Sequence, residues 1–196
     1  MPETTADKVP RIGLGVDRHP FDRSRRLTLG GVPIPGAPGL GGHSDADVLA
    51  HAVCDALLGA LGLPDMGMRF KDTDRRWRGR SSLFFVRDAM RDVLRRGLVV
   101  GNLDAVLLAE TPRLAPYVAA MRRRLAGALG CDPADVSVKP KRGEGLGFVG
   151  RREGMAAQAI VLLIPSAPAP AAKRRTPARA TRRGARGTRR AGNGRR

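Results

Sequence analysis

Apolar and polar positions first fall into order at residues 11–16 (RIGLGV), a short apolar run that predicts a buried strand. Residues 27–34 (LTLGGVPI) predict a second strand able to pair with it. A Gly/Pro-rich stretch at 35–42 (PGAPGLGG) predicts a loop. The period then changes. Val48, Leu49, Ala52, Val53, Ala56, Leu57, Ala60 and Leu61 recur at helical spacing, and Pro64 closes the run. Ser44 is expected to cap this helix, with Asp47 three residues on completing a capping box. After a polar segment at 65–80, a second helix is expected over 82–96, ended by Gly97, and a third over 114–129, ended by Gly130. Residues 103–109, 136–138 and 157–164 carry the remaining strand patterns. The connections are mixed, so the expected fold class is α+β, a mixed β-sheet with helices packed on one face.

Charge divides the chain more sharply than hydropathy does. Residues 166–196 carry +11 of the formal +18 and have no acidic residue. They are Ala, Pro, Gly, Thr and Arg without apolar periodicity, which predicts a disordered tail, because such a segment cannot bury enough surface to offset its ordering entropy. The expected layout is a flexible N-terminus at 1–10, one domain at 11–165 and the Arg-rich tail at 166–196. The +7 left on the rest of the chain excludes a uniformly basic nucleic-acid-binding fold. Weak polyanion binding is one reading of the tail, and a solvated extension with no part in the domain's chemistry is the other. Cys54 and Cys131 are too few for a disulfide scaffold or a four-thiolate metal site and fit a reducing compartment. No stretch approaches the roughly 20 apolar residues of a membrane span, and the N-terminus lacks a signal-like apolar run. A cytoplasmic location is expected.

Chemistry concentrates around three histidines. Asp17 and His19 share one face of an extended strand, so a carboxylate and an imidazole can converge on one ion. His51 lies mid-helix with Asp47 and Asp55 four residues to either side, placed so that an acid can fix its tautomer. Asp17, His19 and His51 would form an O/N/N ligand set with a fourth position open, as a catalytic zinc requires. The spacing alone equally fits a satisfied core or surface histidine. His43 precedes the expected helix N-cap, where free N–H groups attract phosphate, although an ordinary loop histidine would look the same. Residues 143–150 (GEGLGFVG), flanked by Arg151 and Arg152, form a glycine-rich basic loop without the context of a dinucleotide fingerprint.

Five segments occur in an order that resembles the 2-C-methyl-D-erythritol 2,4-cyclodiphosphate synthases of the non-mevalonate isoprenoid pathway. They are GVDRHPF (15–21), LGGVPIP (29–35), HSDADVLAHAVCDALLG (43–59), DMGMRFKDTD (65–74) and GLGFVGRREG (145–154). The resemblance implies a phosphorus–oxygen lyase that forms the cyclic diphosphate from 4-diphosphocytidyl-2-C-methyl-D-erythritol 2-phosphate and releases CMP. It also implies a homotrimer with active sites between subunits, a Zn²⁺ and a second divalent ion, Mg²⁺ or Mn²⁺. By the same resemblance Asp17, His19 and His51 match the zinc ligands, and Asp17 and His19 also border the substrate. His43 matches the residue that stabilises the transition state, with Ser44 beside it at the substrate phosphates. Asp65, Met66, Gly67, Phe70, Asp72, Thr73 and Asp74 match substrate-binding stretches. Ala109, Glu110, Thr111, Pro112, Arg113, Leu114 and Ala115 match the loop that holds the cytidine and its phosphate. Glu144 matches the acid of the second metal, and Phe148 and Arg151 match substrate contacts. The chain departs from the family where a short threonine run usually precedes that acid, since here the residues are Lys141-Arg142-Gly143. Arg142 then either takes over phosphate charge or fills the pocket, and Arg142→Thr is expected to leave activity equal or higher. The alternatives to a working synthase are a homologue that binds zinc and cytidine phosphates with impaired turnover, and a protein whose tail associates with nucleic acid or membrane.

Overall fold

The strand expected at 11–16 runs on to residue 29 in the computed structural model, which describes residues 9–166. Strand β1 (Arg11–Leu29) turns at Gly30 and Gly31, both with positive φ, into β2 (Val32–Leu40). Positive φ at both central residues is what a tight two-residue hairpin needs, and glycine adopts it without strain. Residues 27–34 are therefore a hairpin and not one strand, with Leu27 paired to Ile34 across it. The expected loop at 35–42 is mostly strand as well. Pro35 and Pro38 read as breakers, but β2 is an edge strand, where a missing N–H costs no ladder bond.

The other elements are helices α1 (Val48–Ala60), α2 (Met66–Arg69) and α3 (Leu83–Arg95), strand β3 (Leu98–Leu108), helix α4 (Val118–Leu129), strand β4 (Val136–Lys141), helix α5 (Gly147–Gly150) and strand β5 (Gly154–Pro165). Five strands form a mixed sheet in the order β2-β1-β5-β3-β4. Among the described residues only β3 and β4 run parallel. Helix α1 lies on β1 and β5 and is covered in turn by α3, so nearly all of it is buried. Along β1 the residues facing α1 are Gly13, Gly15, Asp17 and His19, while Ile12, Leu14 and Val16 project from the other face and are exposed. A Cβ at Gly13 or Gly15 would stand 1.9 Å from the carbonyl oxygen of Ala56 or Ala52. The helix backbone therefore rests directly on the strand, and this contact brings His51 of α1 beside Asp17 and His19 of β1.

The cap of α1 differs from expectation. Asp47 is the N-cap, with its carboxylate accepting from Ala50 N at 3.1 Å, Gly30 N at 2.8 Å and Gly31 N at 2.6 Å. One carboxylate thus caps the helix and closes the β1–β2 turn. The tail at 167–196 and the N-terminal residues 1–8 lie outside the described residues, so the expectations of disorder, flexibility and polyanion binding there stand on sequence alone. Among the described residues no helix is long and apolar enough to cross a membrane.

Candidate active site

Asp17 and His19 leave β1 on the α1 side, and His51 meets them from the first turns of α1. His51 Nδ1 is 2.9 Å from Asp17 Oδ2 and 3.0 Å from His19 Nε2. The third side, His19 Nε2 to Asp17 Oδ2, is 3.0 Å. Two ring nitrogens and a carboxylate oxygen make a nearly equilateral triangle. The expectation that Asp47 or Asp55 would orient His51 does not hold, because Asp47 is spent on the cap and Asp55 accepts from Met66 N at 2.7 Å. Two hydroxyls take that place: His51 Nε2 is 2.8 Å from Ser82 Oγ and 3.0 Å from Ser44 Oγ. With Nε2 partnered by these hydroxyls, the Nδ1 edge of His51 is turned toward Asp17 and His19. Two ring nitrogens and a carboxylate oxygen thus face one point, where a cation could replace the hydrogen bonds between them.

The donor set fits a divalent metal. The three ligand atoms all lie within 4.8 Å of one another. Two imidazoles and a carboxylate with an open fourth side suit a borderline-soft cation such as zinc. Burial opposes ionisation of Asp17, yet hydrogen bonds and charge attraction from the two imidazoles outweigh it and hold the carboxyl well below its ordinary range. Burial likewise lowers His19, but the Asp17 carboxylate more than offsets it and the imidazole stands above its ordinary value.

The triangle opens into a cavity of about 460 Å³ whose walls include His43, Ser44, Asp65, Met66, Gly67, Phe70, Asp72 and Trp77. Thr73 and Asp74 are outside this lining. Asp74 caps the turn at Arg75–Trp77, and its carbonyl lies 3.2 Å from His43 Nε2. His43 is four residues ahead of the true N-cap, and the first turn of α1 is buried and capped, so the expected helix-terminal phosphate site is not there. His43 is held instead by its loop. Arg25 donates to the carbonyls of Gly42 and Ser44, and Gly79 N donates to the His43 carbonyl at 2.9 Å.

The other expected substrate residues gather elsewhere. Ala109, Glu110, Thr111, Pro112, Arg113, Leu114 and Ala115 line a second cavity of about 480 Å³ with Pro140, Lys141 and Arg142, and it shares no residue with the first. Phe148 borders a third, smaller hollow that includes His19, while Arg151 pairs with Glu153 at 2.7 Å. Glu144 is exposed, at a positive φ of 50°. Sequence reasoning missed Ser82, Arg25 and Trp77. Ser82 was visible only as the start of α3, and no local pattern marks a serine at a helix start as the partner of a histidine 31 residues away.

An α+β sheet that presents two imidazoles and a carboxylate to a cleft walled by a histidine, a serine and acidic loops defines a domain with a group able to hold a metal ion. The comparisons narrow this to one family. The YgbB family model matches residues 10–164, and the chain belongs to that family. The chain is 56% identical over 155 residues to a bifunctional IspD/IspF enzyme of Anaeromyxobacter dehalogenans, covering 79% of this chain and 40% of that one. It therefore spans well under half the length of that relative. A 2-C-methyl-D-erythritol 2,4-cyclodiphosphate synthase of Desulfosudis oleivorans is 53% identical over 154 residues, 79% of this chain and 92% of the relative. Among solved structures, IspF of Plasmodium falciparum in complex with CDP is similar at a TM-score of 0.71 and 32% identity, over 82% of this chain and 99% of that one.

Proposed function

We propose that the chain is a 2-C-methyl-D-erythritol 2,4-cyclodiphosphate synthase, with residues 11–165 as the synthase domain of a cytoplasmic enzyme. The observation that carries this reading is the Asp17–His19–His51 triangle opening into a cleft walled by His43 and Ser44. The names of full-length relatives and the CDP held by a similar structure support the substrate class.

In the reaction an oxygen of the 2-phosphate attacks the β-phosphorus. The bond from that phosphorus to the CMP oxygen breaks, and CMP leaves with the electron pair. Such a displacement needs positioning and charge neutralisation more than a protein nucleophile. Zinc held by Asp17, His19 and His51 would supply a Lewis acid to a phosphoryl oxygen. Glu144 would hold the second divalent ion, Mg²⁺ or Mn²⁺. His43 and Ser44 hold the substrate phosphates and favour the charge that develops during transfer. Asp65 to Gly67, Phe70 and Asp72 shape the wall on the same side, with Thr73 and Asp74 following them in the same loop. The 109–115 loop, through Arg113, takes the cytidine and its phosphate, and Phe148 and Arg151 add substrate contacts. Because the two cavities share no residue, the reading joins the metal cleft of one subunit to the nucleotide cavity of the next in a homotrimer. The exposed apolar sheet face of Ile12, Leu14, Val16 and Ile160 offers contact area for that assembly. The 166–196 tail adds weak polyanion binding at most.

The test is ³¹P NMR of purified protein with the diphosphocytidyl substrate, Zn²⁺ and Mg²⁺. Chelator-sensitive formation of CMP and the cyclic diphosphate is the expected result. Unchanged substrate with CMP still bound would replace the reading with that of a turnover-impaired homologue.

A further inference from the structure

Arg142 stands where the family's threonine run is replaced, and its guanidinium is already engaged. Its Nη2 donates to Glu110 Oε1 at 2.6 Å, and the backbone N–H of the next residue, Gly143, donates to the other oxygen, Oε2, at 2.9 Å. The Glu110 side chain is only 6% exposed, so the carboxylate is turned inward from the 109–115 loop and is closed over by residues 142 and 143. Arg142 holds the Glu110 carboxyl below its ordinary range.

The segment this contact anchors is unusually constrained. Glu144 has φ 50°, Gly145 has φ 76° and Gly147 has φ 61°. A Cβ at Gly143 would come 2.5 Å from Gly150 N, and one at Gly150 would come 2.1 Å from the Gly145 carbonyl carbon. The loop is wound so closely on itself that residue 143 has no room for a threonine side chain. A segment with three left-handed residues in five holds one shape only if its ends are fixed. Ala109 N donating to the Lys141 carbonyl fixes one end next to the Glu110 contact.

We infer that Arg142 and Glu110 form a latch that positions the 143–150 loop against the 109–115 loop, so that Arg142 is a positioning residue and Glu110 is not a substrate contact. The inference rests on the function proposed above only for what the latch serves, namely holding Glu144 and the nucleotide loop in register. It reverses the expectation for Arg142→Thr. A threonine is too short to span to Glu110 and leaves a nearly buried carboxylate with one N–H donor, so the variant loses activity.

The latch is read in two ways on the full chain. Hydrogen exchange of the Gly143 amide reports it without any turnover: protection in the wild type should fall at least tenfold in Arg142→Gln and in Glu110→Gln, with Arg142→Lys in between. Kinetics report its purpose. Each single variant should raise KM for the diphosphocytidyl substrate about tenfold, and the double variant should be no worse than the worse single, with metal content unchanged. Additive losses in the double variant, an unprotected Gly143 amide in the wild type, or full activity in Arg142→Thr would each overturn the latch. A protected Gly143 amide in a wild type that turns nothing over would instead overturn the proposed reaction and leave the latch standing.

Discussion

Gly15→Ala should damage the fold and the metal site together, because one backbone contact holds both. The added methyl would stand 1.9 Å from Ala52 O and 2.6 Å from Ala56 N. Carbon contacts settle at about 3.5 Å, so strand and helix must part by more than 1 Å. Neither can do so freely: β1 is held by pairing of Gly15 with Ala159, and α1 is buried against α3 on its far side. Overpacking typically costs about 1–3 kcal/mol, and with backbone on both sides the upper end applies. In a domain of this size about 3 kcal/mol lowers Tm by roughly 6–12 °C. His51 precedes Ala52 on the displaced turn, and Asp17 follows Gly15 on the same face of β1. Metal–ligand bonds tolerate errors of about 0.2 Å, so a shift of this size should weaken zinc affinity at least tenfold. Thermal melts in chelator measure the first effect, and zinc titration against a competing chelator measures the second. Gly127→Ala is the control: a Cβ there meets nothing within 4 Å, on an exposed turn of α4, and stability should rise by about 0.5–1 kcal/mol. A Gly15→Ala melt within about 2 °C of the wild type would refute the contact. A lowered Tm with unchanged zinc affinity would refute the coupling.

Three further outcomes follow from the same geometry. His51→Ala should purify without bound zinc, and full metal occupancy would show the ligand set to be wrong. Ser82→Ala should weaken zinc affinity about tenfold with α3 intact, because Ser82 makes no side-chain cap bond and its hydroxyl orients His51; competitive titration with unchanged affinity would refute that role. Asp47→Asn should cost about 1–3 kcal/mol, since one carboxylate oxygen becomes an NH₂ facing an N–H donor. Burial and the neighbouring Asp45 carboxylate push Asp47 up to about 6, so between pH 4 and 6 the unfolded chain sheds a proton that the folded chain keeps. Stability from this group therefore falls as pH rises through that window, by up to about 3 kcal/mol. In denaturant melts at pH 4, 5 and 6 the stability of the wild type relative to Asp47→Asn should fall with that slope as pH rises; a constant difference would refute the assignment.

Helices were more legible than strands, and the reason is the edge strand. The 3.6-residue periods of α1, α3 and α4 are local, and each helix falls within a few residues of its expectation. Strand β1 was cut short because Arg18, Pro20, Arg23 and Arg26 interrupt the apolar pattern, although the ladder to β5 holds as far as Pro20 and the ladder to β2 resumes at Phe21. Prolines in β2 hid a strand whose outer N–H groups have no partner to lose. These are tertiary permissions, granted by position in the sheet and not written in any local window.

The candidate site shows the same division more sharply. Asp17 and His19 were readable because a strand's period of two is local, and His51 because it recurs in a helix of known start. What joined them was not. Two glycines let α1 lie on β1, and only the packed structure shows that their missing Cβ atoms set the distance between ligands. The orienting partners of His51 were assigned to Asp47 and Asp55 from helical spacing, which identifies neighbours on a face but not where a side chain is already spent. Asp47 had three backbone N–H donors to satisfy, two of them from a turn 16 and 17 residues away, and a buried carboxylate with that many partners is not available to a histidine. Competition among partners, more than proximity, decides which group is left to orient a histidine.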